Sequence, residues 1–282
     1  MSVAKGSAWM VGVLLVGVWT FLREVGPAAG QPSTTKSMVV AELFTSEGCS
    51  SCPPADAVLS QLVLRQPVAG VEVLALGEHV DYWDRLGWRD PFSSALYSSR
   101  QSNYDAHVFH RQDVYTPQLV VDGRFERVGS DITAVQRAIT QAAHGPKAAV
   151  DVAALRANDR DLRVDIHVRV PPSLTLRERA DVLVAIVEDN LVTEVRRGEN
   201  GGRTLRHSAV VRSLTSVGTL SPDEHMWATN ASMPVDPVWT PANLRILSFL
   251  QERESRRIVG AGSAPRGGFQ AAGVRSSAPP AF

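Results

Sequence analysis

Cysteine is scarce in this chain: Cys49 and Cys52 are the only two among 282 residues, and two residues separate them. A structural zinc site would need further Cys or His ligands at useful spacing, and the sequence has no second cysteine pair. As a staple, the pair would close a short ring worth only about 2 kcal/mol. A redox disulfide, a structural staple and a metal site are the three interpretations, and the first is favoured.

An excess of charge of either sign is also absent. Lys plus Arg and Asp plus Glu each total 29, and no basic run is interleaved with aromatic residues, so nucleic acid is not an expected partner. The sequence lacks a glycine-rich nucleotide loop, a Walker pattern and a Ser-His-Asp order in the required context. An apolar share of 44% is ordinary for a folded soluble protein, and no cofactor is expected.

The apolar run near the amino terminus is short for a membrane span. Residues 8–22 are apolar, follow Lys5 and precede the small-residue stretch 26–30, which is typical of a secretory signal. Residues 1–30 are therefore predicted to be a leader, with the mature chain starting near Gln31 in the periplasm or outside the cell. The alternative is an uncleaved anchor, the one case in which a membrane contact is expected.

The first half of the sequence has α/β character. Residues 38–44 and 71–76 are predicted strands, and residues 53–66 between them carry apolar side chains at helical spacing after two prolines. A helical crossover of this length favours parallel strands. The pattern predicts an α/β domain over residues 37–145, with an insertion at about 78–113.

The second half has a different pattern. Its segments alternate apolar and polar residues or run briefly apolar between turns, at 149–155, 162–170, 181–189, 208–214 and 244–252. This pattern predicts an antiparallel β-sandwich over residues 146–262. Residues 263–282 are rich in Gly, Ala, Ser and Pro and are predicted to be a flexible tail.

The cysteine pair lies between the first predicted strand and the first predicted helix. Cys49 would then stand at a helix amino terminus, where the macrodipole stabilises a thiolate. Cys52 would lie one turn inside, close enough for a disulfide that opens with little backbone movement. Export to an oxidising compartment would allow this disulfide to form.

Four sequence blocks resemble a known family: VVAELFTSEGCSSCPPAD, HVDYWDRLGWRDPF, VYTPQLVVDGR and GENGGRTLRHSAVVR. From about residue 38 to 250, the chain is similar to bacterial exported thioredoxin-like proteins known only as a domain of unknown function. The resemblance implies an α/β thioredoxin-like domain with a helical insertion, followed by an antiparallel β-sandwich domain, and a redox ancestry. Gly48 and Ser50-Ser51 depart from ordinary thioredoxins, so no reduction potential carries over.

The resemblance also implies roles for residues outside the cysteine pair. Thr116-Pro117 would form a cis peptide bond facing the disulfide, leaving the Thr116 backbone free to pair with an extended substrate. A plain turn proline is the alternative. Glu42, on the strand before the motif, would be a buried base for the Cys52 thiol, or else part of a local ion pair.

Aromatic residues concentrate in and just after the insertion. We expect the insertion to cover the disulfide, because it starts at the carboxyl edge of the sheet where Cys49 should lie. The aromatic residues would form a substrate-binding wall or the core of a small cap, and they are Tyr82, Trp83, Trp88 and Tyr115. His79, Asp81 and Asp84 are better explained by caps and local turn bonds than by metal ligation, and no metal is expected.

A further polar group lies at residues 198–212. Glu199, Arg203, His207 and Arg212 are interpreted as an interdomain or structural network, with an anionic ligand as the alternative.

Two functions of different classes follow. The first is thiol-disulfide exchange on a protein or small thiol, with a redox partner, in which Cys49 attacks and Cys52 resolves the mixed disulfide. The second is a non-catalytic binding or assembly module in which the disulfide stays closed. Exposure of the Cys49 sulfur to solvent would favour the first.

Overall fold

The computed structural model describes residues 1–2 and 36–265. The predicted leader or anchor at 1–30 and the predicted tail at 263–282 lie almost entirely outside the described residues. No helix in the described part of the chain is long and apolar enough to cross a membrane.

Strands and three α-helices alternate in the first part of the described chain. In order these elements are β1 Ser37–Thr45, α1 Pro53–Arg65, β2 Val71–His79, α2 Ala95–Tyr104, β3 Gln118–Val121, β4 Phe125–Val128 and α3 Ile132–Ala142. A short 3-10 turn precedes α2, and a π-helical turn follows it.

From residue 148 to residue 265, where the described part of the chain ends, the regular elements are strands and one 3-10 turn. They are β5 Ala148–Arg156, β6 Asp161–Arg169, β7 Ala180–Glu188, β8 Leu191–Glu194, β9 Thr204–His207, β10 Val210–Leu220, β11 Met226–Pro234, β12 Leu244–Glu252 and β13 Ile258–Ser263.

Each α-helix begins at a residue suited to a helix start. Pro53 and Pro54 open α1, where the fixed φ of proline fits and its missing N–H costs nothing. The side chains of Ser94 and Asp131 accept backbone N–H groups in the first turns of α2 and α3. The predicted strand, helix, strand unit is confirmed, because β1 and β2 pair in parallel on either side of α1.

The expected architecture, an α/β thioredoxin-like domain with a helical insertion followed by an antiparallel β-sandwich, is wrong. One mixed sheet of eleven strands runs through both halves, in the order β11-β6-β5-β13-β12-β7-β10-β2-β1-β3-β4. The halves join where Val210 of β10 pairs with Gly77 of β2, and the Gly77 N–H donates to the Ala209 carbonyl at 2.7 Å. Because Gly77 has no side chain, the two backbones can approach this closely.

A buried apolar layer also spans both halves. Phe44 and Leu76 of β1 and β2 belong to one cluster with Val187, Leu247 and Phe249 of β7 and β12. A second cluster packs α1 and α3 against the other face of β1 to β3, and a third lies among the strands from β5 to β13. The shared layer gives the halves a common core, which alternation within single strands does not predict.

Candidate functional site

The two cysteines form a disulfide and lie between β1 and α1, in residues 46–52, which we call the disulfide loop. Cys52 is the N-cap residue of α1, and its carbonyl accepts the backbone N–H groups of Ala55 and Asp56. Cys49 lies in the preceding turn, where its N–H donates to the carbonyl of Ser46. The pair therefore stands at the positive end of the helix macrodipole, the end of a helix that stabilises thiolates.

Neither cysteine reaches solvent. Cys49 and Cys52 are both 0% exposed, whereas Ser50 and Ser51 between them are exposed. The Ser51 Oγ lies 3.3 Å from the Cys49 Sγ. A molecule in solvent can thus touch the outside of the loop, but a local movement is needed before it can reach a sulfur atom.

Five buried ionisable side chains lie in or beside the disulfide loop and form what we call the buried charge cluster: Glu47, Asp56, His79, Asp90 and His207. The His207 Nε2 is 3.1 Å from the Glu47 Oε1, and its Nδ1 is 3.8 Å from the Asp56 Oδ2. The His79 Nδ1 is 2.7 Å from the Asp90 Oδ2. The two imidazole rings meet edge to face, with centroids 4.9 Å apart.

Burial and neighbouring charges perturb this cluster in opposite directions. Burial raises the pKa of Asp56, although the charges of His207 and His79 oppose part of the effect. Burial alone would lower the pKa of His79, but the carboxylates of Asp90, Asp56 and Glu47 together outweigh it and raise that pKa. Burial also opposes ionisation of Asp90, yet His79 and hydrogen bonds leave the pKa of Asp90 lowered. His79 and Asp90 therefore act as an ion pair, while Asp56 takes up a proton more readily than an ordinary aspartate.

Trp83 connects the disulfide loop to the predicted Thr116-Pro117 segment. That peptide bond is cis, and the Trp83 indole N–H donates to the Thr116 Oγ1 at 2.9 Å. The Trp83 Cβ lies 3.1 Å from where a Cβ on Gly48 would be, so a side chain at position 48 would crowd the indole-bearing residue. This packing constraint explains the glycine at position 48.

The other predicted aromatic residues are partly buried and already have partners. The Tyr82 hydroxyl donates to the Gln101 side chain at 3.2 Å, and the Trp88 indole N–H donates to the Glu47 carboxylate at 2.8 Å. The Tyr115 ring lies 5.0 Å from the Arg111 guanidinium. These contacts are those of a cap packed beside the loop, and substrate binding by these residues stays a prediction.

Glu42 belongs to a different buried group. Its two carboxylate oxygens accept from the Arg100 Nε and the Tyr104 hydroxyl, each at 2.6 Å. Glu78 lies 3.5 Å from the same Arg100 nitrogen, and burial together with the Glu42 charge raises the pKa of Glu78 well above its ordinary value. Because both Glu42 oxygens have structural partners, the geometry favours the ion-pair alternative over a base for Cys52.

The turn between β8 and β9, residues 198–203, contacts the disulfide loop. The Glu199 carboxylate accepts the Ser50 N–H at 3.0 Å, and Arg203 donates to the Asn200 side chain at 2.8 Å. Of the predicted polar network, Glu199, Arg203 and His207 therefore lie at this site. Arg212 instead stacks over the rings of Phe92 and Trp239, at 5.3 Å from each centroid.

Sequence reasoning missed Glu47, Asp56, Asp90 and Asn200. Asn200 is 0% exposed and donates to the carbonyls of Glu47 and Cys49, both at 2.9 Å. Glu47 and Asp56 carry a local signal, because each is an acid within four positions of a cysteine. Asn200 carries no such signal, since 151 positions separate it from Cys49.

Within residues 1–2 and 36–265, no three His, Cys, Asp or Glu side chains converge in a way that could hold a metal ion. His79 pairs with Asp90, while Asp81 and Asp84 accept hydroxyl hydrogen bonds from Ser98 and Ser93. These local contacts are of the kind that the turn-bond interpretation predicts.

The fold and the site define a mixed-sheet protein with a buried Cys-x-x-Cys disulfide at the start of a helix. The chain belongs to the family described as "Protein of unknown function (DUF1223)", which matches residues 40–251. That description assigns no activity. No curated protein matches the sequence.

Several solved structures are similar to this chain, among them the following two. Protein AGR_C_4864 of Agrobacterium tumefaciens is 28% identical, with 82% of this chain and 96% of that chain covered and a TM-score of 0.62. HBP35 of Porphyromonas gingivalis is 14% identical, with 87% and 80% covered and a TM-score of 0.63. The second likeness concerns the fold alone.

Proposed function

We propose that this protein is an exported thiol-disulfide exchange protein whose Cys49–Cys52 disulfide cycles between oxidised and reduced forms. The observation that carries the proposal is the position of the disulfide at the amino terminus of α1, beside the buried charge cluster. We relate this local unit of strand, Cys-x-x-Cys and helix to the thioredoxin-like superfamily, while the eleven-stranded sheet around it is different.

The exchange proceeds through a mixed disulfide. In the reduced protein, the Cys49 thiolate attacks one sulfur of a substrate disulfide, the substrate S–S bond breaks, and one substrate thiolate leaves. The Cys52 thiolate then attacks the Cys49 sulfur and releases the second substrate thiolate. The substrate gains two electrons and takes up two protons, while Cys49 and Cys52 lose two electrons and re-form their disulfide.

The substrate class is a protein or small-molecule disulfide outside the cytoplasm. The secretory pattern of residues 1–30 supports export, and an oxidising compartment allows the disulfide to form. A redox partner must reset the cysteines after each cycle. Candidate substrate contacts are the Thr116 backbone and the aromatic residues Tyr82, Trp83, Trp88 and Tyr115.

Single-cysteine variants test this proposal. Reduced Cys52→Ser should form a stable mixed disulfide with glutathione disulfide at Cys49, whereas Cys49→Ser should react more slowly, because Cys49 is the proposed nucleophile. Intact-mass spectrometry of the native proteins measures both rates. Equal rates in the two variants, or adduct formation only in urea, would refute the assignment.

The complete burial of both cysteines favours a second candidate, a binding or assembly module with a permanently closed disulfide. In that case the native disulfide should resist dithiothreitol until the protein unfolds. A Cys49→Ser/Cys52→Ser double variant would then lose stability and keep its binding function.

A further inference from the structure

The disulfide loop is held from outside by a residue far away in sequence. Asn200 is buried, and its side-chain amide donates to the carbonyls on either side of Gly48, those of Glu47 and Cys49. An amide NH₂ group has two hydrogens, so both are used on this one stretch of backbone. The Arg203 guanidinium donates to the remaining oxygen of Asn200 and fixes the orientation of the amide.

The neighbouring carboxylate holds the next residue of the same loop. Glu199 accepts the N–H of Ser50, which lies between the two cysteines. His207, at the end of β9, approaches the Glu47 carboxylate at 3.1 Å. The segment from β9 and its preceding turn thus contacts the loop at three residues: Glu47, Cys49 and Ser50.

The insertion closes the loop from another direction. Trp83 packs against Gly48, and the Trp88 Cβ lies 3.1 Å from where a Cβ on Gly198 would be. The 198–203 turn therefore packs against the insertion and, through its other side chains, hydrogen-bonds to the disulfide loop. Three of its six residues are glycines, which gives the turn the backbone freedom that a hinge needs.

We propose that the 198–203 turn is a latch on the Cys49–Cys52 disulfide, and that Asn200 and Glu199 are the positioning residues that keep it closed. Release of the latch exposes the sulfur atoms to a thiolate, and closure returns them to the 0% exposure of the structure. This inference deepens the proposed function by naming how access to the same disulfide is controlled. It concerns the rate of attack on the disulfide, whereas the proposed function concerns its exchange chemistry.

Reduction of the native disulfide by dithiothreitol measures latch opening without any physiological substrate. Aliquots are quenched with a reagent that alkylates free thiols, and mass spectrometry measures the reduced fraction. Asn200→Ala should accelerate reduction by about tenfold or more, because two hydrogen bonds to the loop are lost. Glu199→Gln, which keeps the shape and removes the charge from an exposed position, should accelerate it by about threefold.

Matched variants separate the latch from general effects. Asn230→Ala removes an amide that donates to Asp165 on a neighbouring strand, and Glu178→Gln alters a carboxylate that accepts backbone N–H groups of Glu254 and Ser255. Neither should change the reduction rate. Val164→Ala, in the core among β5 to β13, controls for lowered global stability.

The latch would be overturned if Asn200→Ala and Glu199→Gln were reduced no faster than the unaltered protein. It would also be overturned if Val164→Ala, at the same melting temperature as Asn200→Ala, were reduced equally fast, since reduction would then follow global unfolding. Should Asn200→Ala fail to fold, the Glu199→Gln rate decides. A failed glutathione exchange with a working latch would reject the proposed function alone.

Discussion

Replacing Arg100 tests whether Glu42 has a structural role. Arg100 is 5% exposed and donates to Glu42, Gln251 and Tyr104, so Arg100→Met keeps the aliphatic stem and leaves the Glu42 carboxylate buried without its cation. Breaking a buried ion pair by removing one partner costs about 3–5 kcal/mol. The stranded carboxylate can limit this cost by binding a proton, which costs a glutamate about 3–4 kcal/mol at pH 7 and about 1 kcal/mol at pH 5.

We therefore expect Arg100→Met to lower the free energy of unfolding by about 3–4 kcal/mol at pH 7, and by about 2–3 kcal/mol less than this at pH 5. Urea unfolding followed by circular dichroism at both pH values gives the two numbers. Adding Glu42→Gln to Arg100→Met should restore stability at pH 7, because the buried charge is gone. Arg253→Met, which removes an exposed ion pair with Asp181, is the control and should change little.

Two results would refute this reasoning. One is a loss at pH 7 no larger than that of Arg253→Met. The other is a loss that is the same at pH 5 and pH 7, since the effect would then come from packing and not from the charge of Glu42.

Three further changes have defined outcomes. The pKa of Glu78 is raised in the folded protein, so its contribution to stability is full below the ordinary glutamate pKa and is lost as pH rises through the folded-state pKa. Glu78→Gln should therefore flatten the decline of the free energy of unfolding, measured with urea, above about pH 5. An unchanged slope in the variant would contradict this expectation. Burial raises the pKa of Asp122 to about 6 despite the Lys147 charge, so the unaltered protein should lose stability as pH rises through about 6. Asp122→Asn should remove this loss, and thermal melts across that pH range measure it. Gly123 has φ +67° and a Cβ there would clash with the Arg256 carbonyl oxygen, so Gly123→Ala should destabilise the fold by about 2 kcal/mol or more in urea unfolding, and a neutral effect would contradict the geometry.

The local unit around the cysteines is predictable because its signals are local. Two apolar runs, two prolines and helical spacing predict β1, α1 and β2, and these elements place Cys52 at the helix start. The cysteine spacing itself permits the disulfide. Each of these features depends on residues that are close together in the sequence.

The joining of the two halves is not predictable in the same way. Alternation shows which face of a strand is buried, but it does not show which strands are neighbours. The pairing of Val210 with Gly77 depends on two backbones approaching across 133 positions of sequence, 210 minus 77. A change of pattern near residue 145 therefore predicts an α/β fold followed by a β-sandwich, where the structure has one continuous sheet.

The contacts around the disulfide also depend on residues that are distant in sequence, so they could not be predicted from local patterns. Glu42 lies on the strand before the motif, yet its partners Arg100 and Tyr104 come from α2, and only the folded chain shows that they occupy both carboxylate oxygens. Asn200 has no motif at all, because an asparagine in a glycine-rich turn is ordinarily a turn residue. Its hydrogen bond to the Cys49 carbonyl depends on where β8 and β9 place that turn.

The most direct test of the central claim, that Cys49–Cys52 is an exchanging disulfide, is its reduction potential. The chain without residues 1–30 is equilibrated with glutathione buffers until the reduced fraction is constant, and the reduced fraction is measured by thiol alkylation. We predict a midpoint between about −120 and −270 mV, the range of proteins that exchange disulfides. A midpoint below about −300 mV, which is typical of structural disulfides, would contradict the claim.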